Sequence, residues 1–259
     1  MAGPRGGWDI VSSIGLTALG VAAGRAIETV SPDPLIADRY AAEFVRAAKP
    51  PRPMPTEPVE DELWMAIAGY VALRARFFDD VLTGTSAPQI VILAAGLDAR
   101  AFRLDLTGRD VYEVDQPRVL AFKQDVLDGL GATPTGGRHP VGVDLRDDWP
   151  AALEAAGFDR ARPSVWIAEG LLPYLPAQAE ERLFDLMHPR CAPGSRIGVE
   201  HIPSADVAGL AGTFASAKAG EQMGLDRGDV LSTEPRRDPA GWLAGKGWQV
   251  SVERAADLP

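Results

Sequence analysis

The stretch that most constrains this chain is "QIVILAAGLDAR" at 89–100. Residues 90–95 are apolar without a break, as a strand buried on both faces must be. A glycine stops the run, and the next residues read as a helix. The same alternation continues downstream. Strands are expected at 109–115, 139–145, from 163 into the loop that ends at 175, and at 195–202. Helices are expected between them, at 116–131, 147–157 and 176–194. Strands alternating with helices imply a mostly parallel sheet with helices on both faces, a doubly wound α/β fold.

The flanks are different. Residues 8–48 read as helices, and 50–58 hold five prolines in nine residues, which excludes helix there. A strong helix is expected over 59–82, ending near Gly84. Residues 203–233 carry no strand pattern, and 239–253 read as a last helix and a sixth strand. We read 1–259 as a single domain, because no linker divides it into comparable halves. Within it, 1–58 form a helical cap with a Pro-rich loop and 59–202 the core. Residues 203–233 are a substrate-side insert, and 234–259 the C-terminal helix and strand. The cap and insert are placed to act as a lid. The apolar stretch at 10–24 is too short to span a membrane and is soon followed by Arg25 and Glu28. A helix packed on the domain is expected there, with membrane association as the lesser alternative.

Charge and cysteine count exclude several classes. Lys and Arg total 26 against 36 Asp and Glu, a formal charge of -10. Such a chain, with no basic run, repels nucleic acid and anionic membranes. One cysteine, Cys191, rules out a disulfide within the chain and argues against a cysteine zinc site. We expect no metal, a cytoplasmic setting and a small-molecule substrate.

In open α/β sheets, ligands bind beyond the carboxyl ends of the strands. The expected ends carry Gly96 and Asp98, then Glu113 and Asp115, Asp144 and Leu145, Glu169, and Glu200 with His201. Each acid alone could simply cap the next helix. Gathered on one rim, they would repel one another unless a cationic ligand offset them. Asp115 follows Gly96 by 19 residues, the spacing of a carboxylate that binds ribose hydroxyls. A pyrophosphate site, however, wants further glycines. Here Leu97, Asp98, Ala99 and Arg100 follow instead, and Asp98 would repel phosphate. A ligand with ribose, positive charge and no phosphate fits better: S-adenosylmethionine. Its carboxylate needs a cation. Leu63, Ile67, Tyr70, Arg74, Phe77 and Val81 form one helical stripe with Arg74 in its middle. Arg74 is our first choice and Arg76 the second; a structural salt bridge competes with both.

These segments also carry a family resemblance. "VILAAGLDARAFRL", "VYEVDQPRVLAFKQDVL", "VGVDLRDDWPAAL" and "WIAEGLLPYLP" resemble the leucine carboxyl methyltransferase family, in its actinobacterial branch. The resemblance runs over nearly the whole chain. It implies a class I methyltransferase fold and S-adenosylmethionine as cofactor. It places Gly96 beside the methionine portion, Asp115 on the ribose, and Asp144 with Leu145 on adenine. It places Arg74 at the cofactor carboxylate and Glu169 near the amino-acid end, with Tyr174 in the following loop. Two departures stand out. Ala99 replaces the family's usual threonine, and no obvious seventh strand follows "WQVSVE"; the final edge strand is expected to be missing, either because the protein is shortened or because that strand comes from elsewhere.

The activity implied is O-methylation of a carboxylate on a small molecule. A carboxylate is already nucleophilic, so in-line transfer needs no general base. Catalytic candidates are Glu169, Tyr174 and His201. For a phenol or alcohol acceptor, His201 could serve as base, against the plainer reading of a strand-end histidine with no chemical role; His139 and His188 are expected to be structural or exposed. A non-catalytic S-adenosylmethionine-binding protein and an NAD-dependent oxidoreductase are the competing classes.

Overall fold

The computed structural model describes residues 13–203, 232 and 234–258. Five strands form one sheet: β1 (Gln89–Leu93), β2 (Asp110–Asp115), β3 (Gly137–Gly142), β4 (Ser164–Ala168) and β5 (Arg196–Val199). Their order is β3-β2-β1-β4-β5, and all four pairings are parallel. The direction of winding reverses between β1 and β4, which is where such sheets open a crevice.

Every residue of β1 and of β4 is buried, as the unbroken apolar run at 90–95 required. Side chains alternate between two cores. Ile90, Ile92, Val111, Val165 and Ile167 face a core shared with α1 (Ser13–Thr29), α2 (Ala41–Ala48), α3 (Glu62–Thr83) and α5 (Pro117–Gly129). Val91, Leu93, Tyr112, Val114 and Trp166 face the other core, with α6 (Trp149–Ala155) and α7 (Ala177–Met187). The helix starts follow capping chemistry. Asp61 accepts from the Leu63 and Trp64 amides (3.0 and 3.2 Å), so α3 starts at Glu62 rather than 59. Pro117 and Pro150 sit in first turns, where a missing N–H costs nothing.

From Ser13 onward the apolar N-terminal segment packs as helix α1. Small residues let α1 approach α3 closely: a Cβ on Gly24 would lie 3.4 Å from Val71 Cβ. Among the described residues no helix is long and apolar enough to cross a membrane.

Four expectations need correction. The buried face of α3 is Trp64, Ala68, Val71, Ala75, Phe78 and Leu82. The stripe through Leu63, Ile67 and Arg74 is its half-buried flank, because α3 is covered by α1 on the adjacent side. The connection from β1 to β2 carries only a four-residue helix, α4 (Arg100–Arg103). Strand β3 ends at Gly142, not 145, because its register follows β2, pairing Asp115 with Gly142. Finally, α8 (Pro239–Gly245) forms, but 248–254 is not a strand. Val252 there is 74% exposed, and β5 pairs only with β4 among the described residues. Trp248 Nε1 instead donates to His188 Nδ1 at 3.1 Å, pinning the segment against the end of α7. The insert expected at 203–233 lies almost wholly outside the described residues.

Candidate functional site

The turn after β1 sets the site. Ala94 and Gly96 both have positive φ, 50° and 48°. The glycine takes this conformation freely, whereas alanine is strained by about 1–2 kcal/mol. Ala94→Gly should therefore stabilise the fold by about 1 kcal/mol net of glycine's added unfolded-state entropy. A higher midpoint in urea unfolding with unchanged slope checks this.

Asp115, at the end of β2, is tied to this turn: the Gly96 amide donates to its Oδ2 at 2.7 Å. The Gln116 amide donates to Oδ1 at 2.6 Å. Burial nevertheless pushes the Asp115 pKa up, against these hydrogen bonds. From the cap, Arg25 reaches the same turn. Its Nη2 donates to Leu97 O at 2.7 Å while Nε pairs with Asp38 at 2.8 Å.

Beyond β1, β4 and β5, the acids are knitted together by arginines. Arg100, buried in α4, donates to Asp79 Oδ1 (2.7 Å), to Asp98, and pairs with Glu169 Oε2 (2.7 Å). Arg103 adds two hydrogen bonds to Asp79, at 2.6 and 2.7 Å. Arg74 Nε donates to Glu169 Oε1 at 2.8 Å, and its Nη1 to Glu200 Oε1 at 3.2 Å. Burial opposes ionisation of Asp98, but Arg100, Lys123 and Arg103 outweigh it and hold its pKa at about 2. Glu169 is likewise lowered: burial would raise it, and Arg100 and Arg74 win. Three guanidinium groups (Arg74, Arg100, Arg103) meet four carboxylates (Asp79, Asp98, Glu169, Glu200), leaving one negative charge. Much of the repulsion expected from sequence is thus cancelled inside the protein.

The structure brings Gly96, Asp98, Asp115, Glu169 and Arg74 to one rim through these contacts. Arg76 is excluded from it; it pairs with Asp80 at 3.0 Å on the exposed side of α3. Asp144 and Leu145 lie just past β3, and Asp144 is held by Arg146, with Nη2 to Oδ2 at 2.6 Å. The hydrogen bond from Arg146 keeps the Asp144 pKa down. The Arg146 side chain is 75% exposed. Glu113 does not reach the rim. It is fully buried in β2 between Lys123 and Arg138, each at 2.8 Å.

Tyr174, in a 3-10 turn after β4, is tied to Thr17 of α1 by its hydroxyl, and burial pushes its pKa up. Buried Arg236 gathers the carbonyls of Leu172, Pro173 and Leu175 and pairs with Glu180 at 3.0 Å, fixing that loop. His201 is exposed just beyond β5, and desolvation holds its pKa down, so it is neutral at pH 7. His139 stacks on Tyr112 at 4.7 Å, away from the rim. The Cys191 thiol, raised by burial to about 12, is inert.

Sequence reasoning put Glu200 among the strand-end acids of the rim without giving it a role, and passed over Arg100 and Tyr70 as site residues. An arginine two residues after Asp98, in a turn expected to bind a cation, was the available signal for Arg100. A surface cleft of about 560 Å³ between α2 and α5, lined by Glu43, Phe122 and Leu130 among others, contains no rim residue.

Sheet order, glycine turn and acidic rim at the switch point define a doubly wound α/β protein of the class I methyltransferase kind. Residues 18–188 match the leucine carboxyl methyltransferase family, and the chain belongs to that family. A Rhodococcus jostii protein named "Putative S-adenosyl-L-methionine-dependent methyltransferase" is 49% identical over 261 residues, covering 97% of this chain and 88% of that one. A protein of the same name from Saccharopolyspora erythraea is 47% identical over 256 residues, with the same coverages. A crystal structure described as a putative methyltransferase from Thermobifida fusca is 17% identical, covering 81% of this chain and 74% of that one. Its TM-score is 0.47, too low to bear on the fold. As a family member the chain is a methyltransferase whose methyl donor is S-adenosylmethionine.

Proposed function

We propose that the chain methylates a carboxylate of a small molecule, by in-line transfer without a general base. The supporting observation is how the rim's titratable groups are buried and paired. Tyr70 and Tyr174 are both raised by burial, and Asp98 and Glu169 are lowered and ion-paired. None of these four is poised to take a proton near pH 7, so an acceptor that arrives ionised suits the site. The chain's charge of -10 argues against nucleic acid as acceptor. We infer a cytoplasmic setting from the lone cysteine.

The residues present fit the cofactor. The rim's surplus negative charge, increased by Asp115, complements a ligand with a sulfonium and an ammonium group. S-adenosylmethionine supplies an activated methyl group. In our reading Asp115 binds the ribose hydroxyls with its remaining acceptor capacity, and Gly96 admits the ligand close to the backbone. Asp144 and the Leu145 amide read adenine once Arg146 swings away. Arg74 holds the carboxylate, and Glu169 the ammonium. Tyr174 and the cap close over the acceptor and exclude water.

A second reading rests on His201, whose lowered pKa leaves it neutral and able to act as base toward a phenol or alcohol. Turnover on matched carboxylate and phenol panels against pH tests both. We expect carboxylate turnover with no basic limb between pH 6 and 8, and His201→Ala within about twofold of wild type. Turnover confined to phenols and abolished by His201→Ala would reverse the assignment. Binding of S-adenosylmethionine with no turnover on either panel would favour a non-catalytic protein.

A further inference from the structure

Glu200 follows β5 and has little exposed surface, 8% of its side chain. Its carboxylate is held by three kinds of donor, two from α3 and one from the turn after β4. Arg74 Nη1 of α3 lies 3.2 and 3.3 Å from its two oxygens. The Gly170 amide, just past β4, donates to Oε2 at 2.5 Å. The Tyr70 hydroxyl of α3 donates to Oε1. Gly170 has φ +61°, and a Cβ there would lie 3.7 Å from the Arg74 guanidinium. The turn therefore aims its N–H into the same spot as the arginine. A guanidinium, a backbone amide and a hydroxyl converging on one point make a carboxylate-binding site. Tyr70 is 40% exposed, so the site has an edge at the surface.

With Arg74 taken as the holder of the cofactor carboxylate, we propose that Glu200 is an internal ligand of the Tyr70–Arg74–Gly170 pocket that must leave before that carboxylate enters. This rests on the cofactor reading above. Glu200 and the incoming carboxylate compete for the same three donors, since two anions at that separation repel. Occupancy by Glu200 then lowers apparent affinity by the fraction of time that the pocket is filled. The released Glu200 stays tethered at the end of β5, on the acceptor side, so binding of donor and arrangement of the acceptor side are coupled.

The test is calorimetric binding of S-adenosylmethionine and of its decarboxylated analogue to wild type, Glu200→Gln and Glu200→Asp. The analogue keeps adenosine, sulfonium and ammonium but has no carboxylate to place. Glu200→Gln should bind S-adenosylmethionine about fivefold to tenfold more tightly, as expected for a pocket filled some 80–90% of the time. Affinity for the analogue should stay within twofold. Glu200→Asp keeps the charge but shortens the reach to the donors, and should shift affinity in the same direction by less. It also covers the case in which the glutamine variant fails to fold. Weaker or unchanged S-adenosylmethionine binding in a folded variant, or an equal shift for both ligands, overturns the proposal. A wild type that binds neither ligand overturns the cofactor reading itself, a result distinct from loss of selectivity.

Discussion

Arg74→Met is expected to weaken S-adenosylmethionine binding by about a hundredfold, close to 3 kcal/mol. Arg74 is largely buried and makes charge-assisted hydrogen bonds to Glu169 and Glu200. Losing it removes the guanidinium of the carboxylate pocket and also adds an uncompensated negative charge. Binding of the decarboxylated analogue should change far less, since that ligand never uses the pocket. Stability should fall by about 2 kcal/mol, below the usual cost of breaking a buried pair. Glu169 keeps Arg100, and Glu200 keeps Tyr70 and the Gly170 amide. Arg74→Lys should recover part of the affinity, because it restores charge but not the fork of donors. Equal loss for both ligands would show that Arg74 matters only to the fold.

The largest stability effect is expected at Arg100. Arg100→Met should cost about 3–5 kcal/mol in urea unfolding, the range for leaving buried charges unpaired. Its guanidinium touches Asp79, Asp98 and Glu169, and its side chain is only 4% exposed. Arg76→Met, removing an exposed pair with Asp80, should change stability by less than about 0.5 kcal/mol and serves as control. The pH dependence has a definite sign. Asp98 has its folded pKa depressed to about 2 from its ordinary value of 3.8, so its contribution is present above about 4. That contribution is lost as pH falls toward 2. Arg100→Met should flatten this acid limb, because the cation chiefly responsible is gone. An unchanged acid limb would place the stabilisation elsewhere. Asp115 works in the opposite sense. Its raised pKa means its carboxylate costs stability as pH rises through the folded value, a cost the fold bears to keep an anion at the rim.

Local patterns were enough for much of this. The apolar run at 90–95, the prolines at helix starts and the glycine at 96 report short-range constraints: burial on two faces, fixed φ, and a positive-φ turn. Alternation of strand and helix then leaves few topologies, and the parallel sheet follows. The strand-end acids were legible because a parallel sheet delivers every strand end to one rim. Helical periodicity and the family motifs both pointed to Arg74, although the stripe that carries it is the half-buried flank of α3 and not its buried face.

Other features depend on contacts between distant residues. Which face of α3 is buried depends on where α1 lies, and a helical stripe cannot report that. Strand β3 takes its limits from pairing with β2, which moved Asp144 and Leu145 into the loop. The segment at 248–254 has a strand-like sequence, yet a strand exists only with a hydrogen-bonded neighbour. Above all, charge balance is a three-dimensional property. Arg74, Arg100 and Arg103 cancel carboxylates up to 126 residues away in sequence. Glu200 comes to sit on Arg74 only because β4 and β5 end side by side. Sequence thus determined the sheet and the acidic rim, through burial and backbone geometry. Tertiary structure decided how those acids are paired, because Coulomb and hydrogen-bond energies depend on distances that no local pattern encodes.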